Sequence, residues 1–355
     1  MNIPENSLKE DGVSCPVKVS DYDKVLLAHG GGGSLSRQMI QNIFYPQFNN
    51  EILMQEHDGA VFEAKGIRFA FSTDSYVVQP LFFPGGDIGL LSVNGTVNDL
   101  SMCGSKPLYI SAGFILEEGF PMEDLRKIVT SMKSAAEKAS VQIITGDTKV
   151  VEHGKGDKIY INTSGIGILE REVNISPQNC REGDLIILSG SIADHGIAVL
   201  SARGNLEFST TVKSDTAALN CLVDQILNVS ENIHTMRDPT RGGLASSLNE
   251  IALKAKLGIE IDEAGIPVKG EVNAACEILG LDPLYIANEG KMLVFVPETD
   301  ADKVLKKMQS DPLGLKSRII GRVVKEHPGV VIMKTVIGTR RIIDMLSGEQ
   351  LPRIC

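Results

Sequence analysis

Five short segments of this 355-residue chain place an acidic residue beside glycine or small polar neighbours. Four are His57-Asp58-Gly59-Ala60, Ser72-Thr73-Asp74-Ser75, Val97-Asn98-Asp99-Leu100 and Thr145-Gly146-Asp147-Thr148. The fifth, Arg237-Asp238-Pro239-Thr240-Arg241-Gly242-Gly243-Leu244, reads as a turn that opens a helix and carries two fixed positive charges. Carboxylates drawn from several loops can hold Mg²⁺, which prefers near-octahedral oxygen and recruits phosphate oxygens to complete its shell. Glycines and a helix N-terminus then suit the phosphates. Taken singly, each Asp is more often an N-cap or turn former. Asp99 differs, because its helical stretch from Gly95 to Gly104 has apolar neighbours that predict a buried face. An unpaired carboxylate there is costly, and a metal is a natural partner. No GxxxxGKS/T and no GxGxxG after a strand occurs, so any nucleotide site is of another kind.

A thiol adds to this set. The sequence closes on Leu351-Pro352-Arg353-Ile354-Cys355, and between Asp344 and Cys355 it offers Ser347, Gly348 and Pro352 as breakers. A dozen extended residues span roughly 40 Å at about 3.3–3.6 Å each, so such a tail can carry its thiol into a pocket and out again. A lone cysteine is otherwise a small buried hydrophobe, and that is the reading for the cysteines at 103, 180, 221, 276 and 15. No CxxC pairing favours a zinc site or a disulfide framework.

These residues need elements to position them. The length and a 43% hydrophobic content favour two compact domains. A formal charge of −10 with no run of Lys or Arg argues against nucleic acid. No signal peptide or membrane span is evident, which predicts a cytoplasmic protein. Strand signals fall at 61–62, 67–72, 109–116, 142–151 and 159–169, with helices expected over 88–102 and 122–139. A polar stretch from Arg171 to Asp184 marks a linker. Beyond it, strands are expected near 185–189, 259–261, 292–296, 318–324 and 330–333, and helices near 195–202, 216–227, 242–255 and 300–308. The division is therefore 1–24 extension, 25–170 first domain, 171–184 linker, 185–343 second domain and 344–355 tail. His29-Gly30-Gly31-Gly32-Gly33-Ser34 reads either as a glycine loop leading to a helix N-terminus with N–H groups available to an anion, or as a flexible hinge. His195 reads as a helix start.

In their order along the chain, Asp58-Gly59-Ala60, Ser72-Thr73-Asp74-Ser75, Asn98-Asp99-Leu100-Ser101-Met102-Cys103-Gly104, Thr145-Gly146-Asp147-Thr148-Lys149 and Asp238-Pro239-Thr240-Arg241-Gly242-Gly243-Leu244 resemble the aminoimidazole ribonucleotide synthetase (PurM-like) superfamily. With Pro352-Arg353-Ile354-Cys355, the resemblance narrows to the carbamoyl dehydratases of hydrogenase maturation within it. It runs from about Val25 to the terminus with no departure at a motif position. It implies a two-domain α+β / α/β fold: a mixed-sheet N-terminal domain that dimerises and binds ATP, then an α/β C-terminal domain and a flexible tail. By motif, Asp58, Asp99 and Asp238 would hold Mg²⁺, while Asp74, Thr145, Gly146 and Asp147, with Gly242 and Gly243, would contact the nucleotide or its metals. Lys149 would face phosphate or the carbamoyl group.

The implied reaction is ATP-dependent conversion of a carbamoyl group on Cys355 to a thiocyanate, the cyanide source for hydrogenase iron. Implied partners are a second copy of the chain, a HypF-type carbamoyltransferase as donor and a HypC–HypD complex as acceptor. Chemistry agrees: dehydrating a primary amide requires its oxygen to become a leaving group, which phosphorylation achieves, and its nitrogen to lose protons to a positioned base. Glu289, in Ala287-Asn288-Glu289-Gly290-Lys291 before the apolar run Met292 to Val296, is the candidate base, because partial burial would raise its pKa. A selenophosphate or purine-pathway synthetase on the same fold would use a free small substrate and leave Cys355 idle. A non-catalytic scaffold would have no need of five acid-bearing loops.

Overall fold

A computed structural model of the chain describes residues 22–203 and 211–348. Cys355, residues 349–354 and residues 1–21 of the expected extension lie outside the described residues.

The first sheet is built from β1 (Ala60–Ala64), β2 (Ile67–Tyr76), β3 (Lys106–Glu117), β4 (Gln142–Val151) and β5 (Ile159–Ile168), in the order β1-β2-β5-β3-β4. All pairs are antiparallel except β3 with β4. Helix α1 (Ile88–Met102) lies between β2 and β3 in sequence, and α2 (Met122–Ala139) between β3 and β4. The Asp87 carboxylate caps α1 by accepting from the N–H groups of Gly89 and Leu90 at 2.7 and 3.0 Å.

Almost every residue of α1 is buried, as expected of a helix that is apolar on most sides and packed on all of them. It lies on β2, β5 and β3, carries α2 on its flank, and meets the second half of the chain at α4 (Asn220–Leu227). By contrast α2 is amphipathic, burying Ile128, Met132, Ala135, Ala136 and Ala139 against α1 and leaving its charged face in water. Strand periodicity matches this layering: Ala70, Ser72 and Tyr76 of β2 turn toward α1, while Phe71 and Thr73 turn to the open side.

The second sheet has seven strands. In chain order they are β6 (Leu185–Leu188), β7 (Thr235–Arg237), β8 (Gly258–Asp262), β9 (Leu293–Val296), β10 (Arg318–Val324), β11 (Val331–Lys334) and β12 (Arg340–Ile343), arranged β12-β11-β8-β10-β6-β9-β7. Helices α3 (Asp194–Ser201), α5 (Gly243–Ala255), α6 (Gly270–Leu279) and α7 (Glu298–Gln309) complete this half with α4. Strands β6 and β9 are buried along their whole length, because α5 covers one face of the sheet and α4 with α7 cover the other. This explains why both read as short unbroken apolar runs.

Four elements differ from expectation. Strands β7 and β12 and helix α6 were not anticipated, and α4 starts at Asn220 rather than near Thr216 because the preceding residues are used elsewhere. Among the described cysteines, Cys103, Cys180 and Cys276 are buried and unpaired, whereas Cys221 is exposed. No helix among the described residues is long and apolar enough to cross a membrane.

Candidate active site

A cleft of about 550 Å³ opens where the glycine loop, the first sheet, α1 and the start of α5 meet. Its wall includes Asp58, Asp74, Asp99 and Asp238, so four of the five acid-bearing segments converge there. Each carboxylate arrives on a different support. Asp58 precedes β1, Asp74 is in β2 facing α1, Asp99 is in the last turn but one of α1, and Asp238 follows β7.

The local partners of these groups are few. Asp58 Oδ1 is 2.7 Å from Arg237 Nη1, and Asp99 Oδ2 accepts from the Ser72 hydroxyl at 2.6 Å. Asp58 Oδ2 and Asp238 Oδ2 are buried without a hydrogen-bond partner. Arg237 also pairs closely with Glu250 of α5, so one guanidinium ties the first-sheet side of the cleft to the second. His57 is held neutral, its pKa pushed down to about 3 chiefly by burial and then by the Arg237 charge. Its Nδ1 accepts the Asp58 N–H at 2.8 Å and its Nε2 lies 3.1 Å from the Ile175 carbonyl oxygen, which fixes the backbone that presents Asp58. Neither His57 nor Glu250 was singled out from the sequence. His57 had the signal of adjacency to Asp58; Glu250 had none.

Burial is the largest cause raising the pKa of all four carboxylic acids, and repulsion from neighbouring carboxylates adds to it at Asp58, Asp99 and Asp238. Asp99 is pushed well above its ordinary range by burial and then by Asp238, Asp74 and Asp58; Asp238 is pushed up to about 6. Arg237 and Arg241 offset this only in part. Such a set fits a hard divalent cation: it supplies oxygen donors, two of them orphaned, in a field that disfavours their own charge. Among the described residues, however, no three acidic, histidine or cysteine side chains converge as a closed ligand cage. That pattern suits Mg²⁺, which takes one or two carboxylates and fills its shell with water and phosphate.

The pH dependence of stability follows. Groups whose folded pKa is raised stabilise the fold below the ordinary carboxylate range and lose that contribution as pH rises through the folded value. In EDTA the melting temperature is therefore expected to fall as pH rises from the ordinary carboxylate range through about pH 6, the value to which Asp238 is pushed, by the equivalent of roughly 1–3 kcal/mol. Millimolar Mg²⁺ should flatten the decline. Melts across pH with and without the ion check both statements, and a flat profile in EDTA would remove the repulsion argument.

Glu289 is almost fully buried behind the cleft, in the field of Asp238, Asp74 and Asp215, which follow burial as causes lifting its pKa well above the usual carboxylate range. Its Oε1 has no hydrogen-bond partner. Its backbone is fixed from both sides: the N–H donates to Asp215 Oδ1 at 3.1 Å, and the carbonyl accepts from Ala217 N–H and Asn98 Nδ2 at 3.4 Å each. Asn98 Nδ2 further donates to the Ala217 carbonyl at 3.0 Å, and its Oδ1 accepts from Leu219 N–H at 2.8 Å. These bonds hold residues 215–219 out of helical form, which is why α4 begins late. Lys291 Nζ lies 3.2 Å from Asp215 Oδ2. Asp215 was not anticipated from the sequence.

Several expected members are not brought to this cleft. Thr145, Gly146, Asp147 and Lys149 are on β4, at the far edge of the first sheet. The register row Asp74–Thr163–Ala112–Gly146 crosses three strand spacings, about 14 Å. Thr145, Asp147 and Lys149 pair with Ser111, Gly113 and Ile115, and so turn to the open face, opposite to Asp74. Within one chain they cannot share a ligand with it. Lys149 instead pairs with Asp147 at 2.7 Å, and its ammonium holds the Asp147 carboxyl below its ordinary range.

Gly242 and Gly243 are not on the cleft wall either. Both have positive φ, +78° and +62°, and a Cβ on Gly243 would come within 2.6 Å of the Leu284 carbonyl oxygen, so they serve close backbone packing where α5 starts. The Ser34 N–H donates to the Leu346 carbonyl at 2.9 Å and the Gly32 N–H to Ser36 Oγ at 3.0 Å, so these N–H groups of the glycine loop are already used.

Both halves of the chain match known family models. Residues 56–169 match the AIR synthase related protein, N-terminal domain, and residues 181–334 the AIR synthase related protein, C-terminal domain. Fold and cleft therefore define a two-domain protein of the AIR synthase related class. A carbamoyl dehydratase HypE from Cupriavidus necator H16 is 52% identical over 333 residues, covering 94% of this chain and 95% of that protein. A crystal structure of a HypE–HypF complex superposes with a TM-score of 0.83 at 49% identity, over 87% of this chain and 99% of that one. The hydrogenase maturation protein HypE in complex with ATP gives 0.79 at 47% identity, over 94% and 100%. The chain belongs to the HypE family of carbamoyl dehydratases, a family of enzymes.

Proposed function

We propose that this enzyme dehydrates a carbamoyl group carried on the thiol of Cys355, consuming ATP, and so makes the cyanide ligand of nickel–iron hydrogenase. The observation that carries the reading is the convergence of Asp58, Asp74, Asp99 and Asp238 on one glycine-rimmed cleft, with Glu289 buried beside it. A relative whose structure holds ATP supports nucleotide binding there.

The balance is R–S–CO–NH₂ + ATP → R–S–C≡N + ADP + phosphate + H⁺. The carbamoyl oxygen attacks the γ-phosphorus and displaces ADP, the C–O bond then breaks with phosphate as leaving group, and of the two protons lost from nitrogen one goes to Glu289 and on to solvent while the other ends on the departing phosphate. Asp58, Asp99 and Asp238 would supply carboxylates to bound Mg²⁺, one or two to an ion, and the metal would neutralise charge on the transferring phosphoryl group. Asp74 and Arg241, both on the cleft wall, orient the nucleotide. Glu289 takes a proton from nitrogen, burial and the neighbouring carboxylates having lifted its pKa above the ordinary carboxylate range and so made it a stronger base. Intact mass after incubation with a HypF-type carbamoyltransferase, carbamoyl phosphate and ATP–Mg²⁺ tests this. One carbamoyl group on Cys355 followed by ATP-dependent loss of one water is expected; an unmodified Cys355 despite ATP hydrolysis would point to a free substrate.

The active unit is a homodimer whose sites draw on both chains. Strand β4 is exposed on both faces and has a free edge, and Phe71, Tyr109 and Ile115 lie exposed on the open side of the same sheet. Covering that side with a second copy offers a place for Thr145, Asp147 and Lys149 at the partner's cleft. Mixed dimers supply the check. Lys149→Ala and Glu289→Gln chains, each inactive alone, should recover about a quarter of wild-type activity when reassembled in equal amounts, since half the dimers then hold one intact site. No recovery would place Lys149 in its own chain's site. The HypE–HypF complex among the relatives supports a HypF-type donor, and the family resemblance implies a HypC–HypD complex as the acceptor.

A further inference from the structure

The glycine loop borders the cleft on one side and the root of the tail on the other. Gly30, Gly32 and Gly33 are part of the cleft wall. Behind them the chain leaves β12, its Ile343 carbonyl accepts from Asn249 Nδ2 of α5 at 2.8 Å, and the Leu346 carbonyl accepts from Ser34 N–H. Leu346 is buried although Asp344 and Ser347 on either side are exposed.

The glycines are explained by this crossing. A Cβ on Gly33 would overlap the Leu346 carbonyl oxygen and sit 3.1 Å from the Leu346 Cβ. Gly32 has φ +72°, and a Cβ there would lie 2.7 Å from the Arg241 carbonyl oxygen. Gly31 is under no such demand, with room for a methyl group at ordinary contact distance. The loop is therefore wedged between the Arg241–Gly242 turn and the tail, and only at Gly32 and Gly33 is the absence of a side chain required.

We propose that Gly32, Gly33, Ser34 and Leu346 form a seat that positions Cys355 for reaction. The inference rests on the reading above that Cys355 is the reacting thiol. With the root seated at Leu346, nine residues rather than twelve run from that contact to Cys355. That length reaches at most about 30–32 Å when extended, which keeps the thiol near the cleft whose wall the seat shares. A shorter leash raises the effective concentration of the thiol at the site. These are positioning residues: none of them touches the reacting atoms.

Two measurements on the full chain test the proposal. In hydrogen exchange, Gly33→Ala should speed exchange at Ser34 and over 345–348 by about tenfold or more, whereas Gly31→Ala should leave both as in wild type. Equal protection in the two variants overturns the seat, and this readout is independent of any carbamoyl chemistry. In the second, eight Gly/Ser residues are inserted either after Gly348 or after Asp344. Insertion beyond the seat should slow single-turnover dehydration about threefold, from the −3/2 power of leash length, while insertion before it should not. Equal effects of the two insertions would also overturn the proposal.

Discussion

Glu289→Gln is expected to slow ATP-dependent conversion of the carbamoylated protein by about 10²–10⁴-fold, the usual cost of removing a general base. The fold should not suffer. Oε1 has no hydrogen bond to lose, the backbone bonds to Asp215, Ala217 and Asn98 do not involve the side chain, and the neutral amide relieves repulsion with Asp238 and Asp74. Wild-type turnover should rise with pH as Glu289 ionises, and the variant should lose that limb while still binding nucleotide. Single-turnover intact-mass kinetics on protein carbamoylated beforehand separates this step from carbamoyl transfer. A variant within tenfold of wild type would move the base elsewhere.

The second large effect has opposite signs for stability and function. Asp99→Asn keeps an oxygen for the Ser72 hydroxyl but removes a buried charge that faces Asp238, Asp74 and Asp58. Without metal or nucleotide the variant should be more stable by roughly 1–3 kcal/mol near neutral pH, because the wild-type charge is both desolvated and repelled. Activity should fall by at least about 10²-fold, and the gain in melting temperature on adding Mg²⁺ should shrink. Calorimetry with EDTA or Mg²⁺, set beside turnover, reads both signs. A variant that is less stable in EDTA would mean that Asp99 is held by partners other than those described. Stability sacrificed at a working site is the common pattern, and here it is concentrated in a few carboxylates.

What the sequence disclosed depended on how each feature encodes itself. The bounds of α1 and α2 were readable because Asp87 starts one and αL Ser140 stops the other, with a helical period between. Strands β6 and β9 were readable as apolar runs. Strand β7 has only three residues, β12 carries two arginines on an exposed edge, and α6 begins at a glycine, so none gives a strong periodic signal. At the site, the convergence of four Asp segments was legible because their neighbours repeat one pattern. The separation of Thr145–Lys149 from them was not, since it depends on strand order and on which face of β4 each residue takes, and neither is written locally. The seat at Gly33 was equally hidden, since its partner Leu346 lies more than 300 residues along the chain.

A leash of nine residues also sets a delivery radius. Whatever receives the finished group must bring its accepting atom within about 32 Å of Leu346, the span of those residues when extended. Its footprint must come within that reach of the glycine loop, and it cannot remain over the cleft while the cleft is in use unless it leaves the thiol a way inward. Hand-over and synthesis would then compete for the same few ångströms of rim, which makes the order of arrival a matter of geometry.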